Sequence, residues 1–100
     1  MSAETYGPVL GSYFTDKATF KNVNGTLVDP SAFSVKWYNP AGTLKGTYTS
    51  PTYVSQGVYL CGHQTAITDS AGIWTVEWTV TIGGKTDIFY HTIDVPAGRT

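Results

Sequence analysis

The sequence predicts an all-β domain made of two packed sheets with about seven antiparallel strands, and three observations carry that expectation. Sixteen threonines, eleven glycines and fourteen aromatic residues stand beside only two glutamates and one methionine. Residues that suit pleated surfaces and turns therefore outnumber the good helix formers. Apolar side chains recur at every second position in several short runs, which is the period of a strand with one buried face. Turn-forming residues separate those runs about every ten to fifteen residues, with no helical period between them.

One hundred residues are enough for a single hydrophobic core. The division expected is an N-terminal arm over residues 1–11, a sandwich over 12–96 and a short tail over 97–100. The arm mixes small residues with Tyr6, Pro8, Val9 and Leu10, too short a pattern to demand a strand. From Ser12 to Lys21 the alternation is clear: Phe14, Ala18 and Phe20 share one face, where Asp16 is the exception, and Thr15, Lys17 and Thr19 share the other. Asn22 to Pro30 is rich in turn formers, and Asn24-Gly25 suits a reversal. Asn24-Gly25-Thr26 also matches the glycosylation sequon, but without a secretory signal it reads as a turn.

Phe33, Val35 and Trp37 alternate with Ser34, Lys36 and Tyr38 until Asn39-Pro40-Ala41-Gly42 turns the chain. Leu44 to Tyr48 is the short return strand, polar enough for a sheet edge guarded by Lys45. Ser50-Pro51 ends it, and Val58 to His63 makes the next strand. Ile73 to Ile82 has the strongest pattern, with Trp74, Val76, Trp78 and Val80 on one face and Thr75, Glu77, Thr79 and Thr81 on the other. Gly83-Gly84 forms a two-residue hairpin loop into a last strand from Thr86 to Val95. Strands of this number and spacing suggest an immunoglobulin-like β-sandwich.

A net charge of −1 from six basic and seven acidic residues, spread without runs, offers no patch for nucleic acid or an anionic membrane. No apolar stretch approaches a membrane span, and the first residues lack the basic and apolar regions of a signal peptide, so synthesis in the cytoplasm is expected. The single Cys61 can form no internal disulfide, and packing alone must hold the domain.

Three stretches together bear a resemblance: Thr15 to Pro30, with its strand, Asn/Gly turn and Val28-Asp29-Pro30; Phe33 to Gly42, ending in Asn39-Pro40-Ala41-Gly42; and Asp69 to Trp78. The set resembles small immunoglobulin-like proteins of tailed bacteriophages, with Asn39 standing where aspartate is usual. The resemblance covers about Gly11 to Val95 and rests on turn and core patterns, which speak for fold more than for role. It implies a virion structural part, such as a capsid decoration or a head- or tail-associated subunit. Such a part is non-enzymatic, binds the protein lattice of the virion and can form homo-oligomers on the particle.

No catalytic set, cofactor or metal site is expected. Cys61 and His63 fall on one face of a strand and could join His91 around zinc, but no fourth ligand stands at a recognisable spacing. Buried cysteine is more often a small hydrophobe, and His91 is expected half-buried with one nitrogen bonded to backbone. The aspartates lie apart, and Asp29 and Asp69 read as turn residues bonding local backbone. Trp74 and Trp78 share a face with valines, which makes them core rather than a sugar platform. Tyrosine gives contact area at low entropic cost, so Tyr6, Tyr13, Tyr38, Tyr48, Tyr53 and Tyr59 are the interface candidates. Val9 and Leu10 join them because an extended arm can add to a neighbour's sheet edge. The rival functions are a host-surface or carbohydrate recognition module and, more remotely, a small metal-binding protein.

Overall fold

The computed structural model describes residues 8–97. Seven strands follow in order: β1 (Tyr13–Thr19), β2 (Ala32–Tyr38), β3 (Leu44–Tyr48), β4 (Thr52–Ser55), β5 (Val58–Gln64), β6 (Gly72–Ile82) and β7 (Lys85–Val95). They form a three-stranded sheet in the order β1-β5-β4 and a four-stranded sheet in the order β3-β2-β6-β7, with every pairing antiparallel. The architecture is a β-sandwich, as the two-residue periodicity requires.

The dry layer between the sheets takes Phe14, Ala18 and Phe20 from β1 and the residue after it, and Tyr59 and Cys61 from β5. Facing them are Val35 and Trp37 of β2, Trp74, Val76, Trp78 and Val80 of β6, and Val95 of β7. The rings of Trp37, Trp74 and Trp78 are fully buried. Phe20 sits among Phe33, Trp78 and Phe89 at centroid distances of 6.1, 5.8 and 5.9 Å, distances at which edge-to-face ring contacts are favourable.

The two Asn-containing turns share one device. Asn22 Oδ1 accepts from the N–H groups of Asn24 and Thr26, and Asn39 Oδ1 accepts from those of Ala41 and Thr43. An amide oxygen on a short side chain substitutes here for a backbone acceptor. Asparagine serves as well as aspartate would at position 39, because only the acceptor is used.

Three expectations change. A strand absent from the sequence reading, β4, follows Pro51, and β1 ends at Thr19 rather than Lys21. The sequence hid β4 because all four of its residues are exposed, so no alternation marks it. The described end of the arm also belongs to the sandwich: Leu10 N–H donates to Pro96 O, Gly11 N–H donates to Thr65 Oγ1, and Leu10 packs on the core.

Candidate binding surfaces

Alternation along β1 places Asp16 on the inner face, and its 9% exposure makes it a buried carboxylate. Such a group needs donors, because burial without them is costly. Trp78 Nε1–H donates to Asp16 Oδ2 at 2.6 Å, and His91 Nδ1 lies 2.7 Å from the same oxygen. A carboxylate only accepts, so the His91 Nδ1 carries the proton. His91 is thus held by a side chain of the opposite sheet and not by backbone, which corrects the expectation for it.

His63 occupies a second closed environment. Its ring stacks on Trp37 at 5.6 Å and lies 5.8 Å from Trp74, while Tyr48 Oη meets its Nδ1 at 2.7 Å. Burial lowers the His63 pKa, with Lys45 acting in the same direction and Asp69 opposing. Burial likewise raises the Cys61 thiol and the Tyr48 phenol. Tyr48 Oη and His63 Nδ1 engage each other, and among the described residues no group of three or more His, Cys, Asp or Glu is arranged to hold a metal ion. Cys61, His63 and His91 are not brought to one centre.

Asp69 behaves as a turn residue: its Oδ2 accepts from Ala66 N–H, and this bond together with Lys45 at 3.0 Å lowers its pKa. Asp29 does not. Its Oδ1 accepts from Gly57 N–H at 2.7 Å and from Tyr59 Oη–H at 3.1 Å, both far along the chain. This ties the β1–β2 connection to the β4–β5 hairpin.

The candidate tyrosines divide. Tyr59 is only 7% exposed and belongs to the core, so the inner face of β5 removes it from the interface set. Tyr6 lies outside the described residues. Val9 and Leu10 are half-buried at the joint with Pro96, Tyr53 is exposed on β4, and Tyr38 is half-buried on the outer face of the four-stranded sheet. Tyr13 and Tyr48 come together. With Ser50, Pro51, Thr52, Leu60 and Gln64 they line a concavity of about 230 Å³ beside β5. Gly62 makes this possible, since a Cβ there would fall within the volume of the Tyr13 ring.

The sequence reading missed the exposed centre of β7. Ile88, Phe89 and Tyr90 are 53, 41 and 62% exposed on a strand that forms one edge of its sheet. Ile88 and Tyr90 look outward beside Thr79 and Glu77, and Phe89 looks inward beside Trp78. The neighbouring Glu77 carboxylate raises the Tyr90 pKa. The signal was available: Ile88 to Ile93 carries apolar residues at both parities, which a half-buried strand with one wet face does not require.

No family model matches the chain, and neither a curated protein nor a solved structure shows significant similarity to it. Among the described residues no helix is long and apolar enough to cross a membrane.

Proposed function

We propose that the chain is a non-enzymatic, immunoglobulin-like structural protein of a tailed-phage virion that acts by binding a repeating protein lattice. The resemblance in the turn and core motifs supports this reading, and the strand order agrees with it. If the seven strands are taken as B, C, C′, D, E, F and G, the sheets read B-E-D and C′-C-F-G, the immunoglobulin order without its first strand. A lattice partner also suits modest individual contacts, because repetition raises effective concentration.

The observation that carries the reading is the division of chemistry in the fold. Asp16 Oδ2, His63 Nδ1 and His91 Nδ1 are spent on internal partners, whereas exposed apolar groups lie on both sheets, at Leu44, Ile73, Ile88, Phe89 and Tyr90 on the four-stranded one and at Tyr13, Tyr53 and Val54 on the other. Apolar and aromatic exposure of this kind favours docking on protein. Labelled copies of the chain, located by negative-stain microscopy on particles of the phage that encodes it, test the proposal. A regular array of label is expected, and bare particles would overturn it.

One observation favours a second reading, host-surface carbohydrate recognition. The concavity between Tyr13 and Tyr48 is uncharged and carries Ser50, Thr52 and Gln64 beside the rings, a lining able to stack on a sugar face and bond its hydroxyls. A glycan array separates the readings: selective binding lost in Tyr13→Ala would favour recognition.

A further inference from the structure

An edge strand exposes unpaired N–H and C=O groups, and proteins blunt such edges with short strands, bulges or charges. Three of the four edges here are blunted. β3 has five residues and β4 has four, and each pairing is broken by a bulge, at Lys45 and at Val54. β1 holds Lys17 out to solvent midway along its length. β7 is long and unbulged and carries charges only outside its centre, at Lys85, Asp87 and Asp94. It keeps eleven residues in unbroken register with β6, and from Ile88 to Ile93 it has no proline, no bulge and no Lys, Arg, Asp or Glu.

We infer that β7 is the contact between two copies of this chain, paired antiparallel about a two-fold axis normal to the sheet, with Phe89 opposite Phe89 of the second copy. Such an axis preserves the faces of the sheet, so each residue must oppose one of its own parity. Centring on Phe89 sets Asp87 opposite His91 and Ile88 opposite Tyr90, each twice. His91 Nδ1 is already bound to Asp16, which leaves Nε2 facing Asp87 of the second copy, a contact that requires the imidazolium form, in which both ring nitrogens donate. Centring on Ile88 would set Lys85 against His91. Centring on Tyr90 would set Asp87 against Ile93, and centring on His91 would set Asp94 against Ile88. Charge complementarity selects one register of the four.

The backbone agrees. The two-residue Gly83-Gly84 loop closes on the Ile82–Lys85 pair, and the closing pair of such a hairpin exchanges both of its bonds. Counting alternately from there, Phe89 bonds to β6, while Thr86, Ile88, Tyr90 and Thr92 turn their N–H and C=O groups outward. In the Phe89-centred register Thr86 opposes Thr92 and Ile88 opposes Tyr90, each twice, giving about eight new backbone bonds. The two four-stranded sheets become one continuous sheet. This contact does not depend on the virion assignment.

Light scattering on the full chain over a range of concentrations tests the pairing, with a dimer expected. Ile88→Pro removes an outward N–H without touching the bonds to β6 and should weaken the dimer by about tenfold or more, with the circular dichroism spectrum unchanged. Phe89→Cys should cross-link under mild oxidation, because a non-bonded antiparallel pair brings Cα atoms within about 4.5 Å. Thr79→Cys, on β6, should not. This cross-link decides the matter even if the proline variant fails to fold. A wild-type chain that stays monomeric overturns the proposal, as does a dimer indifferent to Ile88→Pro or a Phe89→Cys chain that does not cross-link. A monomer that dimerises only after deletion of residues 1–7 also overturns it, because the chain's own N-terminal segment would then be the occupant of the edge.

Discussion

The indole N–H of Trp78 donates to the buried carboxylate of Asp16 at 2.6 Å, joining the four-stranded sheet to the three-stranded one through the middle of an otherwise apolar layer. His91 completes the cluster from the neighbouring strand. A hydrogen bond between sheets fixes their relative position along the strands, which valine and phenylalanine contacts by themselves do not.

Removing the acceptor should therefore be costly. Asp16→Ala leaves the Trp78 N–H buried without a partner, and a loss of about 2–4 kcal/mol is expected in urea unfolding. In a double-mutant cycle with Trp78→Phe, the combined loss should fall well short of the sum of the two. Additive losses would show that the bond contributes nothing.

The three core tryptophans are not equivalent. Trp37 Nε1 is buried with no acceptor, whereas Trp78 Nε1 has Asp16 and Trp74 Nε1 has Ser70 O. Phenylalanine at position 37 removes an unsatisfied donor, while at position 78 it strips a partner from a carboxylate. Trp37→Phe should cost about 1–2 kcal/mol less than Trp78→Phe, a difference that paired denaturation curves resolve.

Stability should fall in mild acid through His63. Its pKa in the fold is lowered from the ordinary 6.5, chiefly by burial, so below that value the unfolded chain binds the proton that the folded chain refuses. The contribution is whole above about pH 6.5 and is lost as pH falls through the folded value. Melting temperatures of wild type and His63→Phe, compared from about pH 7.5 to about pH 5, should diverge in slope, with the variant flatter. Parallel curves would remove His63 from the account. The Asp69 contribution, from a pKa lowered below 3.8, has the same sign but is lost only in stronger acid.

Gly57 has no substitute. Its φ of 75° lies in the left-handed region, and a Cβ there would stand 2.8 Å from Phe20 O. Gly25, with φ of 81°, has open space around it. Gly57→Ala should cost about 2–3 kcal/mol and Gly25→Ala about 1 kcal/mol, because the second meets backbone strain alone. Equal costs in thermal unfolding would contradict the steric account.

Much of the fold was legible because alternation is written locally. Phe33, Val35 and Trp37, and Trp74 through Val80, announce their inner face without reference to any other strand. Asp16 stood out as an exception to its face, and it proved to be a working part of the core. The binding surfaces were less legible. Tyr13 and Tyr59 look alike in sequence, yet one lies over Gly62 and the other is sealed beside Phe33 at 4.6 Å. Strand β4, exposed along its length, left no periodic mark.

The sequence by itself determined the strand class, the inner residues of the strongest strands and the Asn-containing turns, because each depends on neighbours within a few positions. Tertiary structure decided which strands became edges, which donors reached Asp16 and which tyrosines met across the chain. Those outcomes depend on pairings between segments many residues apart, and no local pattern encodes which segment will stand beside another. The exposed flank of β7 is one such outcome: its side chains are plain in the sequence, but its place at the edge of the sheet, with no neighbouring strand among the described residues, arises only when the sheet is assembled.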